Sequence, residues 1–264
     1  MKSFNFPKKI LDFVAGKDYV LDDIGKSDSS VLVFEDMVLK IRNNSDFIKN
    51  EHRMMDWLEN KVTAPKCLCD YSENGKNYLL MSKIPGKMSC DDEYMKNPGF
   101  LVSTLAESMK KLWETDISDC PVENDLITML KNAEIRVEKG LVDVNYAEPE
   151  TFGKNGFENP EALLRWLYDN KPVEEPVLSH GDFCLPNIFI HDGKFSGFVD
   201  VGRMGIADRY QDIALCYRSL HHNFYGIYGG ESYSGYDESM LFKALGIEPD
   251  FEKIRYYILL DELF

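Results

Sequence analysis

The octapeptide His180-Gly181-Asp182-Phe183-Cys184-Leu185-Pro186-Asn187 sets an acid five residues before an amide, between two apolar runs that read as strands. Moving a phosphoryl group onto a hydroxyl requires a carboxylate to orient the attacking oxygen and accept its proton, with a neutral oxygen nearby to ligate Mg²⁺. Asp182 is the candidate base and Asn187 a candidate metal ligand. Taken alone, the loop also fits a turn that both side chains merely cap. Further on, Phe198-Val199-Asp200-Val201-Gly202 ends an apolar run in an acid, with Gly202 two positions later offering a sharp backbone turn. Asp200 is the candidate chelator of Mg²⁺ on the β- and γ-phosphates. Upstream, Lys40 lies among Val38, Leu39 and Ile41, and Glu51 follows eleven residues later. Such a lysine can meet α- and β-phosphates if a carboxylate steadies it. By itself the pair would read as solvated charges; with the downstream loop it reads as a phosphate-binding device.

These residues need elements to hold them. Val31 to Phe34 and Met37 to Ile41 are apolar, β-branched-rich runs separated by Glu35-Asp36, which predicts a hairpin carrying Lys40. From Asp46, a candidate N-cap, the recurrence of Phe47, Ile48, Met54, Met55, Trp57 and Leu58 predicts a helix carrying Glu51. Tyr78 to Met81 predicts another strand, broken by Pro85-Gly86. The rest predicts helices around 99–116, 123–138, 160–170, 208–222, 237–245 and 250–264. One compact β segment lies among them: Val177-Leu178, Ile188 to His191, the turn Asp192-Gly193, and Phe195 to Val201.

Composition bounds the partners. Forty-five acidic residues against 30 basic give a net charge of −15, so nucleic acid would be held against repulsion and is not expected, whereas a polycationic small molecule would be drawn in. The same acidity also serves plain solubility. Cys67, Cys69, Cys90, Cys120, Cys184 and Cys216 form no Cys-x-x-Cys pair and read as reduced cytosolic thiols. The first residues lack an apolar signal core, and no run of about 18 apolar residues follows, so no membrane association and a cytoplasmic location are expected. The expected state is a monomer or weak homodimer.

The order Lys40, Glu51, His180-Gly181-Asp182-x₄-Asn187, Asp200 resembles the aminoglycoside phosphotransferase family. The resemblance covers nearly the whole chain, including Met54-Met55-x-Trp57-Leu58, Leu79-Leu80-Met81-Ser82, Asp116-Ile117-Ser118-Asp119-Cys120-Pro121 and Tyr256-Tyr257-Ile258-Leu259-Leu260-Asp261-Glu262-Leu263-Phe264. The last two stretches are especially similar to the aminoglycoside 3′-phosphotransferases of the kanamycin kinase type. The resemblance implies an α+β, protein-kinase-like bilobal fold, with a small β-rich N-lobe over residues 1–83 for the nucleotide. A larger, mainly helical C-lobe over residues 84–264 would hold catalysis and substrate. It implies a transferase that uses ATP, with GTP as the alternative, and Mg²⁺ to phosphorylate an aminoglycoside, an antibiotic-resistance activity.

Carried over residue by residue, the resemblance implies Asp182 as base, Asn187 and Asp200 as metal ligands, and Lys40 with Glu51 at the phosphates. Ser27 would lie in the loop over the phosphates, and the backbone of Ser82 and Ile84 would meet the nucleobase. Arg203, Asp261, Glu262 and the carboxylate of Phe264 would shape the aminocyclitol end, and Glu150 is added as a substrate contact from the acidic stretch Tyr146 to Phe157. His180 reads as a structural donor that holds the loop, since Asp182 makes an imidazole base unnecessary. Val38 departs from members that place an aromatic ring against adenine, and Pro85, at the hinge expected between the lobes over residues 82–86, would stiffen lobe movement. Two other readings stay open: a kinase of the same fold for choline, homoserine or a macrolide, and an inactive nucleotide-binding module.

Overall fold

Alternation on the strands divides the first part of the chain between two cores. The computed structural model describes residues 6–22, 29–43, 47–227 and 229–264. Helix α1 (Lys8–Val14) precedes strands β1 (Val20–Asp22), β2 (Ser30–Val33) and β3 (Met37–Asn43); helix α2 (Phe47–Leu58) leads to β4 (Cys67–Glu73) and β5 (Lys76–Ser82). The five strands form one antiparallel sheet in the order β1-β2-β3-β5-β4. Met37, Leu39 and Ile41 of β3, with Tyr78 and Leu80 of β5, pack with Ile10 and Val14 of α1. Since successive strand side chains point to opposite faces, Val38, Lys40 and Arg42 leave by the other face. Leu79 and Met81 share that face, and with Met54, Met55 and Leu58 of α2 they join the large core of the remaining chain.

Beyond Ser82 come β6 (Lys87–Met88), α3 (Asp92–Met95), α4 (Pro98–Trp113), α5 (Leu126–Glu138) and α6 (Pro160–Asp169). They are followed by β7 (Pro176–Ser179), β8 (Ile188–His191), β9 (Lys194–Phe198), β10 (Gly205–Asp208), α7 (Arg209–Phe224), α8 (Ser239–Leu245) and α9 (Phe251–Asp261). Helix starts follow cap chemistry: the side chains of Asn97, Asp125, Asn159 and Asp250 each accept an N–H of the first turn. The β8–β9 hairpin turns on Asp192 and Gly193, both with positive φ, as a two-residue turn of this hand requires. The expected hairpin across Glu35-Asp36 is present, with Val33 opposite Val38. The single β segment expected after residue 177 is instead two sheets: β7 pairs with β10, while β8 lies between β6 and β9. The strand expected to reach Val201 ends at Phe198, and residues 201–203 form a 3₁₀ turn. Asp46 as helix cap, and Ser27, lie outside the described residues. All six cysteines are free, and Cys69 is buried.

Candidate active site

The His180-Gly181-Asp182 loop leaves β7 and is fastened from behind by α7. Buried Asp212 accepts hydrogen bonds from Ser179 Oγ (2.9 Å), the His180 N–H (2.7 Å) and the Gly181 N–H (3.0 Å). Burial pushes the Asp212 carboxyl up, and these donors and the nearby His180 pull it only partly back. Gly181 has φ +77°, and a Cβ there would lie 2.3 Å from the Arg203 carbonyl oxygen, so only glycine fits. His180 is fully buried; Nδ1 lies 3.3 Å from the Asp182 N–H and can accept it, which leaves Nε2 to donate to the Val199 carbonyl at 3.0 Å. It therefore braces the loop by one donated and one accepted bond rather than by donation alone.

Asp182 is held at both oxygens. Oδ1 accepts from the Cys184 thiol at 3.1 Å and Oδ2 from Asn187 Nδ2 at 3.0 Å. The same Nδ2 donates to the Asp182 carbonyl at 2.9 Å. With its nitrogen committed in this way, Asn187 has its amide oxygen left as a free acceptor. Asp200 follows β9 at φ 55°, ψ 55°. The sharp turn expected at Gly202 is thus made by Asp200 itself, in a left-handed conformation that costs a non-glycine residue about 1–2 kcal/mol and that Asp tolerates better than most. The Asp200 side chain is 46% exposed, so a cation can reach it.

Lys40 Nζ lies 2.7 Å from Asp200 Oδ1 and 3.5 Å from Glu51 Oε1. Burial would lower the Lys40 ammonium, but Glu51 and Asp200 reverse this and leave it above its ordinary value. The protein packed around the half-exposed Asp200 carboxylate would raise it, and Lys40 at 2.7 Å outweighs this and brings it below the usual carboxylate range. Buried Glu51 has a second cation, Arg42, whose Nη1 is 2.7 Å from Oε2 without hydrogen-bond alignment. Arg42, Asp182, Asp200, Gly202 and Arg203 line a cavity of about 150 Å³. At the proposed base end, the Ser82 N–H is spent on the Lys66 carbonyl at 2.9 Å, while the Ile84 N–H bonds to no described residue.

At the other end, Arg203 Nη1 meets Asp261 Oδ1 at 3.0 Å, and Arg218 pairs with Asp261 Oδ2 through Nη2 and with Glu262 Oε1 through Nη1 at 3.2 Å. The Glu148 N–H donates to Glu262 Oε2 at 3.1 Å. Burial would raise Asp261, but the two arginines hold it below the ordinary carboxylate value. Glu262 goes the other way: burial, aided by Asp261, outweighs Arg218 and pushes it up to about 7. These acids form a closed ion cluster rather than a free rim of charge, and Glu262 is only 5% exposed. Arg136 donates from Nη2 to the Phe264 carbonyl oxygen at 2.6 Å. Phe264 and Arg203 line a smaller cavity with the amides Asn124, Asn132 and Gln211. Glu150 is exposed and makes no hydrogen bond or ion pair with a described residue; Glu148 is the acid of that stretch brought to Glu262.

Sequence reasoning missed Arg42, Asp212 and Arg218. Arg42 carried a signal, since a cation two residues after Lys40 shares its strand face. Asp212 carried a weaker one, an acid beside Ile213 and Ala214 on a helix. Arg218 carried none, because its partners lie 43 and 44 residues away.

A model of the phosphotransferase enzyme family matches residues 22–241. An aminoglycoside 3′-phosphotransferase from Enterococcus faecalis is 41% identical over 219 residues, covering 82% of this chain and 79% of its own length. Another from Niallia circulans is 33% identical over 273 residues, covering 98% of each. Among solved structures, an aminoglycoside-3′-phosphotransferase of type VIII superposes with a TM-score of 0.80 at 24% identity over 94% of each chain. An aminoglycoside phosphotransferase from Streptomyces rimosus, solved with ADP and streptomycin, gives 0.78 at 22% identity over 96% of this chain and 95% of its own. Both share the kinase-like fold.

Proposed function

The chain belongs to the phosphotransferase enzyme family, and from that premise we propose that it transfers the γ-phosphoryl group of ATP to the 3′-hydroxyl of an aminoglycoside antibiotic. The carrying observation is that Asp182 and Asp200 line one cavity, with Asp182 fixed at both oxygens and Asp200 open to solvent. Residues 1–83 serve the nucleotide, and residues 84–264 serve catalysis and the acceptor. Ser82 and Ile84 present backbone to the base, and Lys40, steadied by Glu51, meets the phosphates. Asp182 orients the acceptor hydroxyl and takes its proton as the new O–P bond forms and the bond to the departing ADP breaks.

Magnesium fits this donor set, because it is commonly held by one or two protein oxygens with phosphates completing its shell. Asp200 and the Asn187 amide oxygen would hold it, and it would neutralise charge on the phosphates. Arg203, Asp261, Glu262 and Phe264 frame the acceptor end, and the net charge of −15 favours a polycation there. Glu150 is kept only as an outer contact. Among the described residues no helix is long and apolar enough to cross a membrane.

The test is nucleotide consumption with kanamycin, choline and erythromycin, followed by mapping of the phosphorylated position. Turnover with kanamycin alone, lost on analogues without a 3′-hydroxyl, is the expected result. Turnover with choline or erythromycin instead would replace the acceptor assignment, and none at all would favour an inactive module.

A further inference from the structure

Lys40 and Arg42 stand two residues apart on β3 and leave the same face of the sheet. Buried Glu51 lies between them, 3.5 Å from Lys40 Nζ and 2.7 Å from Arg42 Nη1. Lys40 has a nearer partner in Asp200 at 2.7 Å, and Glu51, which also steadies Lys40, makes its own closest ion pair with Arg42. Only Nη1 of that guanidinium is engaged. Nε and Nη2 are shielded from solvent and bond to no described residue, although a buried donor is normally paired. The side chain keeps 17% exposure and lines the same cavity as Asp182 and Asp200.

Strand direction says which part of a ligand Arg42 would meet. Met37 pairs with Ser82 at the proposed base end, so β3 runs away from the base toward the phosphates. Arg42 lies two residues beyond Lys40, roughly 6.6 Å further along the strand. A guanidinium fork offers parallel donors that match two oxygens of one phosphate, where a lysine offers a point charge. We propose that Arg42 is a second phosphate-binding cation of the nucleotide site, gripping the terminal phosphates while Lys40 holds those nearer the ribose. The assignment rests on reading the cavity as the nucleotide site, and makes Arg42 the residue by which the chain tells a triphosphate from a monophosphate.

The experiment is equilibrium binding of ATP, ADP and AMP, each with Mg²⁺, to the wild type, Arg42→Gln and Arg42→Lys. Arg42→Gln is expected to weaken ATP at least about tenfold and ADP less, with AMP within about twofold. Arg42→Lys, which keeps a charge for Glu51, is expected to lose about threefold or more for ATP relative to AMP. It carries the comparison if Arg42→Gln fails to fold. A purely structural role beside Glu51 would lower the melting temperature and weaken all three nucleotides alike, and that outcome overturns the proposal. Unchanged binding of ATP by both folded variants overturns it too. If the wild type itself binds no ATP, the nucleotide site falls and the role of Arg42 with it; if the wild type binds ATP and only its ATP-to-AMP ratio is insensitive to Arg42, the inference alone falls.

Discussion

At the proposed nucleotide end two cations, Lys40 and Arg42, face two carboxylates, Glu51 and Asp200; at the proposed acceptor end Arg203 and Arg218 face Asp261 and Glu262. Matching charges are used differently. In the first quartet Arg42 leaves two nitrogens unpaired, and Asp200 is 46% exposed. In the second, both oxygens of Asp261 and of Glu262 accept hydrogen bonds. An open quartet can exchange partners with an incoming anion and cation, whereas a closed one frames a cavity without rearranging. The site thus combines a responsive end with a fixed end, and Asp182 stands between them.

Asp182→Asn tests what joins the ends. It keeps the shape but removes the base and trades one accepting oxygen for an NH₂ group that faces a donor, so kcat should fall about 10²- to 10⁴-fold while nucleotide affinity, measured by titration, is unchanged. Retention of more than about a tenth of the turnover would break the assignment. Next in size, Arg218→Ala removes one partner of a buried ion cluster and should cost about 3–5 kcal/mol in denaturant unfolding. Lys40→Met, in the open quartet, should cost less than half of that, because Asp200 regains water. Equal losses would erase the distinction between the ends.

The contrast also explains what could be read from sequence. Strand β3 was legible because Met37 to Ile41 is a mostly apolar run with β-branched Val38 and Ile41, set off from the preceding run by Glu35-Asp36, and α6 because Asn159-Pro160-Glu161 is cap chemistry written locally. The elements α1, β1, β4 and β10 were not. β4 ends in Asp70-Tyr71-Ser72-Glu73, too polar for a strand signal, and the four-residue β10 is defined by pairing with β7 far upstream. The Asp182, Asn187 and Asp200 positions were legible through spacing. The saturation of Asp261 and Glu262 was not, because it depends on Arg218 from another helix, and a sequence shows only that acids are present.

Glu262 sharpens the comparison through pH. Its folded value of about 7 stands above its ordinary 4.5, with burial as the main cause. Between those values the folded chain keeps a proton that the unfolded chain has released, so stability falls as pH rises from about 4.5 to about 7 and is level above. Glu262→Gln fixes the neutral form and should lack this slope. Between pH 5 and 8 the wild type should lose about 2.5 kcal/mol more than the variant. Parallel profiles would mean that the closed quartet holds Glu262 ionised throughout.

The smallest expected effect lies at Cys184, which supports the proposed base, Asp182, from the side opposite Asn187. Its Sγ is 3.1 Å from Asp182 Oδ1, and burial together with the Asp182 charge pushes the thiol well above its ordinary value, so at neutral pH it remains an S–H donor. A thiol is a weak donor, and Asn187 already fixes the other oxygen, so losing it should cost about 0.5–1.5 kcal/mol. Cys184→Ala should therefore lower kcat about 2- to 10-fold, with KM for both substrates little changed, because the base is less well oriented only as the hydroxyl attacks. Cys184→Ser restores a stronger donor in nearly the same place and should recover most of that loss. Steady-state kinetics on the two variants, with thermal melts to match their stability, separates orientation from packing. If Ala and Ser lower kcat equally, volume at residue 184 matters rather than its hydrogen bond, and Asn187 alone orients the base.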